Sequence, residues 1–195
     1  MIERMDMLKA IAEKRTDEVV VMTMTTTLQW PLVSKHDLDF DFLAFGMGHA
    51  ADFAMGVALS QPKRKTIVFK GDGGLLMSLG SMITLSKYAP ENMLIFLLEN
   101  MCYEMVGGQE FSQSVNFEKI ASGSGFECGG RTGKGKIEKI DNLLELENSL
   151  PRLLTEPGPH FVIVPVQNNE ELPPVNHSDH AQRIVKLRTS LLKSD

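Results

Sequence analysis

The sequence predicts an α/β protein: an open parallel sheet with helices on both faces, a three-layer sandwich. Three observations predict it. Strand-like and helix-like segments alternate along most of the chain. The strand-like segments are nearly unbroken runs of Val, Ile, Leu and Phe, as a parallel sheet buried on both faces demands. Two of these runs end in "GDGG" (71–74) and "EN" (99–100), and ligands of such sheets sit at the carboxyl ends of the strands.

Taken in order, "DMLKAIAEK" places Met7, Leu8, Ile11 and Ala12 on one face of a short helix, and "DEVVVMTMTT" then reads as a buried strand. "ADFAMGVALSQ" (51–61) is an apolar helix, and "RKTIVFKGDG" (64–73) is a strand running into a glycine turn. "LLMSLGSMITLSKYAP" (75–90) reads as one helix closed by Pro90. "ENMLIFLLEN" (91–100) is a continuous apolar strand, followed by a glycine-containing loop over 101–116 and a helix, "NFEKIASGSGF", ended by glycines. "DNLLELENSLPRLLTE" is helical in pattern, with Pro151 expected to interrupt it. "PHFVIVPVQ" supplies a last strand, and "SDHAQRIVKLRTSLLK" a C-terminal helix from about residue 178, with Ser178 or Asp179 as cap.

The chain has 195 residues, 43% of them apolar and 23% charged, which is enough to bury the core of one soluble domain spanning the whole length. A net charge of -5 argues against a nucleic-acid surface, which needs an excess of Lys and Arg. The two cysteines, Cys102 and Cys128, have no C-x-x-C spacing, so no disulfide framework, zinc set or iron-sulfur set is expected, and a reducing cytoplasm fits. No run of about 18 apolar residues suggests a membrane span. The charged N-terminus does not read as a signal peptide.

Asp72 in "FKGDGGLLMSLG" has an ordinary reading as a turn residue. Its position adds another. The glycines follow a strand and open a helix, so the N–H groups of Gly73 and Gly74 are expected to face a phosphate at the positive end of the helix dipole. A phosphate there needs a countercharge. Asp72 offers a hard oxygen, and Asn100, at the end of the next strand, a neutral one; a parallel βαβ unit brings two such ends together. Magnesium bridging a diphosphate is the chemical reading.

With Gly71-Asp72-Gly73 and, one βαβ step later, Asn100, the chain resembles the diphosphate-binding (PP) domain of thiamine diphosphate enzymes, over roughly residues 10 to 170. The resemblance implies thiamine diphosphate and Mg2+ as cofactors, with the metal held by Asp72, Asn100 and the main-chain carbonyl of Cys102. It places Gly71, Gly73, Gly74 and Tyr103 among the cofactor-binding residues. "FGMGHAADFAMGVALS" (45–60) resembles the family's second landmark, a G-S-M-G-like turn before a helix. Met47 there corresponds to the bulky residue that bends the cofactor, while the carbonyl of Phe45 and the N–H of Met47 face the aminopyrimidine. Without this context Met47 reads as a core methionine. His49, just after the turn, is either a catalytic neighbour of substrate or a structural histidine.

Three longer stretches, "GMGHAADFAMGVALSQ", "GDGGLLMSLGSM" and "LLENMCYEMVGGQ", look most like the sulfopyruvate and phosphonopyruvate decarboxylases within that family. Gly74 stands where the family usually has Ser, and Asn100-Met101 where Asn-Gly is common. The implied chemistry is decarboxylation of a small anionic 2-oxo acid by the cofactor's nucleophilic carbon; a carboligase, a 2-oxoacid oxidoreductase subunit and a non-catalytic cofactor-binding protein are the alternatives. Family members also use a glutamate from a second, pyrimidine-binding domain. One domain's length leaves that glutamate to a partner subunit, and self-association is expected too.

Three further motifs have ordinary readings beside them. "GRTGKGKI" (130–137) approaches a phosphate loop but ends in Ile137 rather than Ser or Thr, and a solvated basic loop is the better reading. Gly107, Gly108 and Gln109 form either a loop over the ligand or a surface turn. "HSDH" (177–180) has metal-ligand spacing but reads as a helix cap.

Overall fold

The computed structural model describes residues 1–41, 46–127, 135–168, 172, 174 and 180–193. Helix α1 (Arg4–Lys14) leads into β1 (Val19–Met22), a short α2 (Thr25–Gln29) and β2 (Asp39–Asp41). Then follow α3 (Ala50–Ser60), β3 (Thr66–Gly71), α4 (Asp72–Met77), α5 (Ser81–Tyr88) and β4 (Met93–Glu99). A two-residue ladder of β5 (Cys102–Tyr103) and β6 (Gln109–Glu110) precedes α6 (Phe117–Gly123), β7 (Lys136–Lys139), α7 (Leu143–Thr155), β8 (His160–Pro165) and α8 (His180–Leu192). Six strands form one parallel sheet in the order β2-β1-β3-β4-β8-β7. The predicted doubly covered parallel sheet is the observed one.

Successive strand residues point to opposite faces, and here both faces are apolar. Val19, Val21, Val68, Ile95, Leu97, Phe161 and Ile163 join the core beneath α3, α5 and α6. Their neighbours Val20, Met22, Ile67, Phe69, Leu94, Phe96, Val162 and Val164 join the other core, beneath α1 and α7. The unbroken apolar runs exist because each alternate residue has a layer of helices to meet. α3 buries mainly alanines, Ala50, Ala51, Ala54 and Ala58, which allow its backbone to lie close to β3.

Several boundaries differ from the sequence reading. The helix expected over 75–90 is two helices, because Ser78 leaves helical geometry (φ -131°, ψ 43°). Its hydroxyl donates to the carbonyl of Gly48 (2.5 Å), in the turn before α3, and is 3.3 Å from that of Gly74. Pro151 does not interrupt α7, which runs on to Thr155; the proline is exposed, while Leu146, Leu150 and Leu153 hold the buried face. Residues read as the end of the first strand form α2, where Thr26 and Thr27 hydroxyls donate to the carbonyls of Thr23 and Met24. Lys136 and Ile137, read as part of a basic loop, lie in edge strand β7, so no helix starts there to complete a phosphate loop. Cys128, most of "GRTGKGKI" and the Ser178 and Asp179 caps lie outside the described residues.

At the amino end of β8, His160 is fully buried. Burial, with the charge of Lys65 adding to it, pushes its imidazole down from 6.5 to about 4. Between those values the unfolded chain binds a proton that the folded one refuses. The stability this provides is therefore complete above pH 6.5 and drains away as the pH falls through 4. His160→Leu is expected to remove that loss. In urea titrations the stability of the variant relative to the original chain should rise steadily from pH 7 to pH 5; a constant difference would contradict a neutral buried His160.

Candidate functional site

The carboxyl ends of β3 and β4 are adjacent, with Gly71 opposite Leu98 in the register. Asp72 and Asn100 follow these ends directly. Asp72 is 1% exposed, and its carboxylate organises both loops: Oδ1 accepts from the N–H of Gly73 (2.7 Å), Oδ2 from those of Asn100 (2.8 Å) and Met101 (2.6 Å). Met101 adopts a left-handed φ of 59° at this turn. The N–H of Gly73 thus faces Asp72, where the sequence reading had it facing a phosphate. Burial pushes the Asp72 carboxyl up to about 6, although its three amide donors pull the other way. A cation beside it would reverse the effect of burial.

The Asn100 amide places one terminal atom 3.0 Å from Asp72 Oδ1 and 3.1 Å from the Cys102 carbonyl oxygen. With the amide oxygen in that place, it stands from the Asp72 and Cys102 oxygens at the spacing of neighbouring ligands in an octahedral magnesium shell, where bonds of about 2.1 Å at right angles set oxygens about 3.0 Å apart. With the amide nitrogen there, the same contacts are hydrogen bonds to Asp72 and Cys102. The donor set therefore fits a small hard cation. Among the described residues no cluster of three or more His, Cys, Asp and Glu side chains offers another site.

A cavity of about 220 Å³ opens beside these groups, lined by Gly71, Asp72, Gly73, Gly74, Asn100, Cys102 and Tyr103 on one side. Met24, Thr25, Met47, Met77, Glu104, Met105 and Val106 complete it. Gly73 is a glycine for a steric reason: a Cβ there would stand 2.8 Å from the Tyr103 ring. Gly74 has ordinary room for one, with Met47 O at 3.7 Å, so the absence of the family's serine is not forced by space. Met47 faces the cavity half-exposed, with φ at 26°. Phe45 lies outside the described residues. His49 is exposed, pairs with Asp52 at 2.7 Å and is not among the lining residues.

Several site residues escaped the sequence reading. Glu104 is gripped by Arg4 in a two-point ion pair (2.9 and 3.0 Å) and accepts from the Thr25 hydroxyl (2.7 Å), tying α1 and α2 to the loop after β5. Lys70, 0% exposed, bonds its ammonium to the Gly48 carbonyl beneath the Met47 turn; burial pushes its pKa down to about 8. A lysine inside the apolar run "TIVFKG" was the available signal. The methionines lining the cavity carried none, since methionine is equally at home in a core.

Residues 21–164 match a family model described as thiamine pyrophosphate enzyme, C-terminal TPP binding domain. The chain is 31% identical over 179 residues to sulfopyruvate decarboxylase subunit beta of Methanothermobacter thermautotrophicus, covering 90% of this chain and 89% of that one. It is 33% identical over 156 residues to phosphonopyruvate decarboxylase of Streptomyces viridochromogenes, covering 79% of this chain and 37% of the relative. Benzoylformate decarboxylase from Polynucleobacter necessarius has the same fold over 87% of this chain and 33% of its own, with a TM-score of 0.63 and 19% identity.

Proposed function

The chain belongs to the thiamine pyrophosphate enzymes, through their C-terminal TPP-binding domain, and from that membership we propose that it is the cofactor-binding subunit of a thiamine diphosphate-dependent 2-oxo acid decarboxylase. Its substrate would be a small anionic 2-oxo acid of the sulfopyruvate or phosphonopyruvate type, as the names of its relatives suggest. The observation that carries this reading is the convergence of Asp72 Oδ1, the Asn100 amide and the Cys102 carbonyl at the ends of two adjacent strands.

When bound, thiamine diphosphate supplies a nucleophilic carbon that adds to the keto group and an electron sink that lets carbon dioxide leave. The chain's own part is placement. Asp72, Asn100 and Cys102 would hold Mg2+ against the diphosphate, with the backbone of Gly71 to Gly74 and the Tyr103 ring forming the wall beside it. Met47 would set the bend between the cofactor's two rings. Met24, Met77, Met105 and Val106 would keep water from the reacting carbon.

Two features support a partner subunit. Among the described residues, the carboxylates lining the cavity are Asp72, committed to the loop amides, and Glu104, committed to Arg4 and Thr25; neither is placed to serve as the activating glutamate of a pyrimidine-binding domain. Met47, Met77 and Val106, which line the cavity, are also exposed, apolar surface of the kind that marks a protein interface. The designation "subunit beta" of the Methanothermobacter relative accords with this. Self-association and a cytoplasmic location complete the proposal. No helix among the described residues is long and apolar enough to cross a membrane.

Co-expression with a partner bearing the pyrimidine-binding domain, followed by a panel of 2-oxo acids with magnesium and thiamine diphosphate, tests it. The pair is expected to release aldehyde and carbon dioxide from sulfopyruvate or phosphonopyruvate, and the chain alone to release none. Absence of turnover on every acid would overturn the assignment.

A further inference from the structure

Two unfavourable features meet at one place. Met47 holds a positive φ of 26°, a region that residues with a Cβ enter reluctantly. Directly beneath it Lys70 buries its ammonium completely, on the second-last residue of β3, where the neighbouring side chains are apolar. A buried charge lowers stability unless a partner compensates it; the acceptors Lys70 reaches are neutral, the Gly48 carbonyl and, at 3.5 Å, the Ser78 hydroxyl, and the charge of Asp52 offsets the burial only in part. Paired strain and burial of this kind gather where geometry serves a site.

The surrounding bonds show what is being fixed. The Gly48 carbonyl also accepts from the Ser78 hydroxyl (2.5 Å), which lies 3.5 Å from Lys70 Nζ. The Met47 carbonyl accepts from the Thr23 hydroxyl (3.3 Å). The N–H of His49 closes the turn onto Gly46. Gly48 is pressed so closely against Ser78 and Gly74 that a Cβ would meet them at 2.5 and 2.6 Å. The turn carrying Met47 is thus clamped to the loop carrying Asp72, and Lys70 enters the clamp from inside the core.

We propose that Lys70 is the positioning residue for Met47: by holding the Gly48 carbonyl it fixes the turn that presents Met47 to the cavity. This rests on the cofactor reading above only for its ligand-binding consequence; its consequence for the turn stands independently.

The test is Lys70→Met, which keeps an unbranched chain of similar length, removes the buried charge and leaves Ser78 to satisfy Gly48. Three readings are compared with the original full chain: thermal stability without ligand, hydrogen exchange at the His49 amide, and affinity for thiamine diphosphate with magnesium by calorimetry. The expected outcome is an unchanged or higher Tm, His49 exchange faster by about tenfold or more, and cofactor binding weaker by a similar factor, on the scale of a lost charge-assisted hydrogen bond. A residue serving only stability would lower Tm and leave the other two readings alone; that outcome overturns the proposal, as does unaltered His49 exchange at any Tm. If the methionine variant does not fold, Lys70→Gln is measured by the same three readings, with the same outcome required. Should the original chain itself bind no thiamine diphosphate, the cofactor reading fails, and the exchange measurement still decides the role of Lys70.

Discussion

Asp72→Ala is expected to abolish magnesium-dependent binding of thiamine diphosphate while leaving the fold intact. The carboxylate is the one charged donor among the three converging oxygens, and its removal leaves an amide and a peptide carbonyl, too weak a pair to hold magnesium. A loss of at least about a thousandfold in affinity, or about 4 kcal/mol, is expected. The fold should tolerate the change because two effects oppose. Three loop amides lose an acceptor. At the same time a charge disappears that burial makes unfavourable: with its carboxyl raised from 3.8 to about 6, Asp72 contributes stability below pH 3.8 that is lost as the pH rises through 6, so at neutral pH its ionised form is a liability without a cation. Calorimetry with magnesium and cofactor, beside a thermal melt, measures both. Unchanged affinity would remove Asp72 from the site.

Gly48→Ala should act on the same site by overpacking. The added methyl would stand 2.5 Å from Ser78 Oγ, 2.6 Å from Gly74 O and 2.8 Å from Ser78 Cβ. Gly74 O is backbone of the segment that carries Asp72, so the clash cannot be relieved by a rotamer change alone. A cost of about 2 kcal/mol is expected, which lowers Tm by roughly 4 to 8 °C in a chain of this size. Because the Met47 turn and the loop are what move apart, cofactor binding should weaken by about tenfold or more as well. Gly74→Ala is the internal control: its methyl would meet Met47 O at 3.7 Å and Gly48 Cα at 3.9 Å, ordinary contacts that leave Tm unchanged. Equal melting of the two variants would show that the turn and loop are not clamped together.

Much of this architecture was legible in residue order because it follows from local rules. Val19 to Met22, Ile67 to Phe69 and Met93 to Leu98 are apolar at every position, and only a sheet covered twice buries all of them. Asp72 and Asn100 were readable because strand ends concentrate ligand chemistry. What escaped depends on distant contacts. Ser78 breaks a well-patterned helix through a bond to Gly48, thirty positions away, and Lys136 to Lys139 form a strand only because β8 offers an edge. Thr25 to Thr27 are poor helix formers by propensity, helical with hydroxyl bonds from Thr26 and Thr27 to the preceding turn. Arg4 and Glu104 meet only after the whole sheet is assembled.

The donor set also decides which positions are free to vary. Asp72 and Asn100 meet the proposed ion through side chains, so each is replaceable only by a group that delivers oxygen to the same point. Cys102 meets it through its peptide carbonyl, which every amino acid possesses. Its thiol turns away toward Asn168, with sulfur and oxygen 3.4 Å apart, so chemistry at the sulfur and coordination at the oxygen are separable properties of one residue. Substitution at 102 is constrained by the packing of the β5 turn rather than by the metal, and a chain could lose this cysteine entirely without surrendering a ligand.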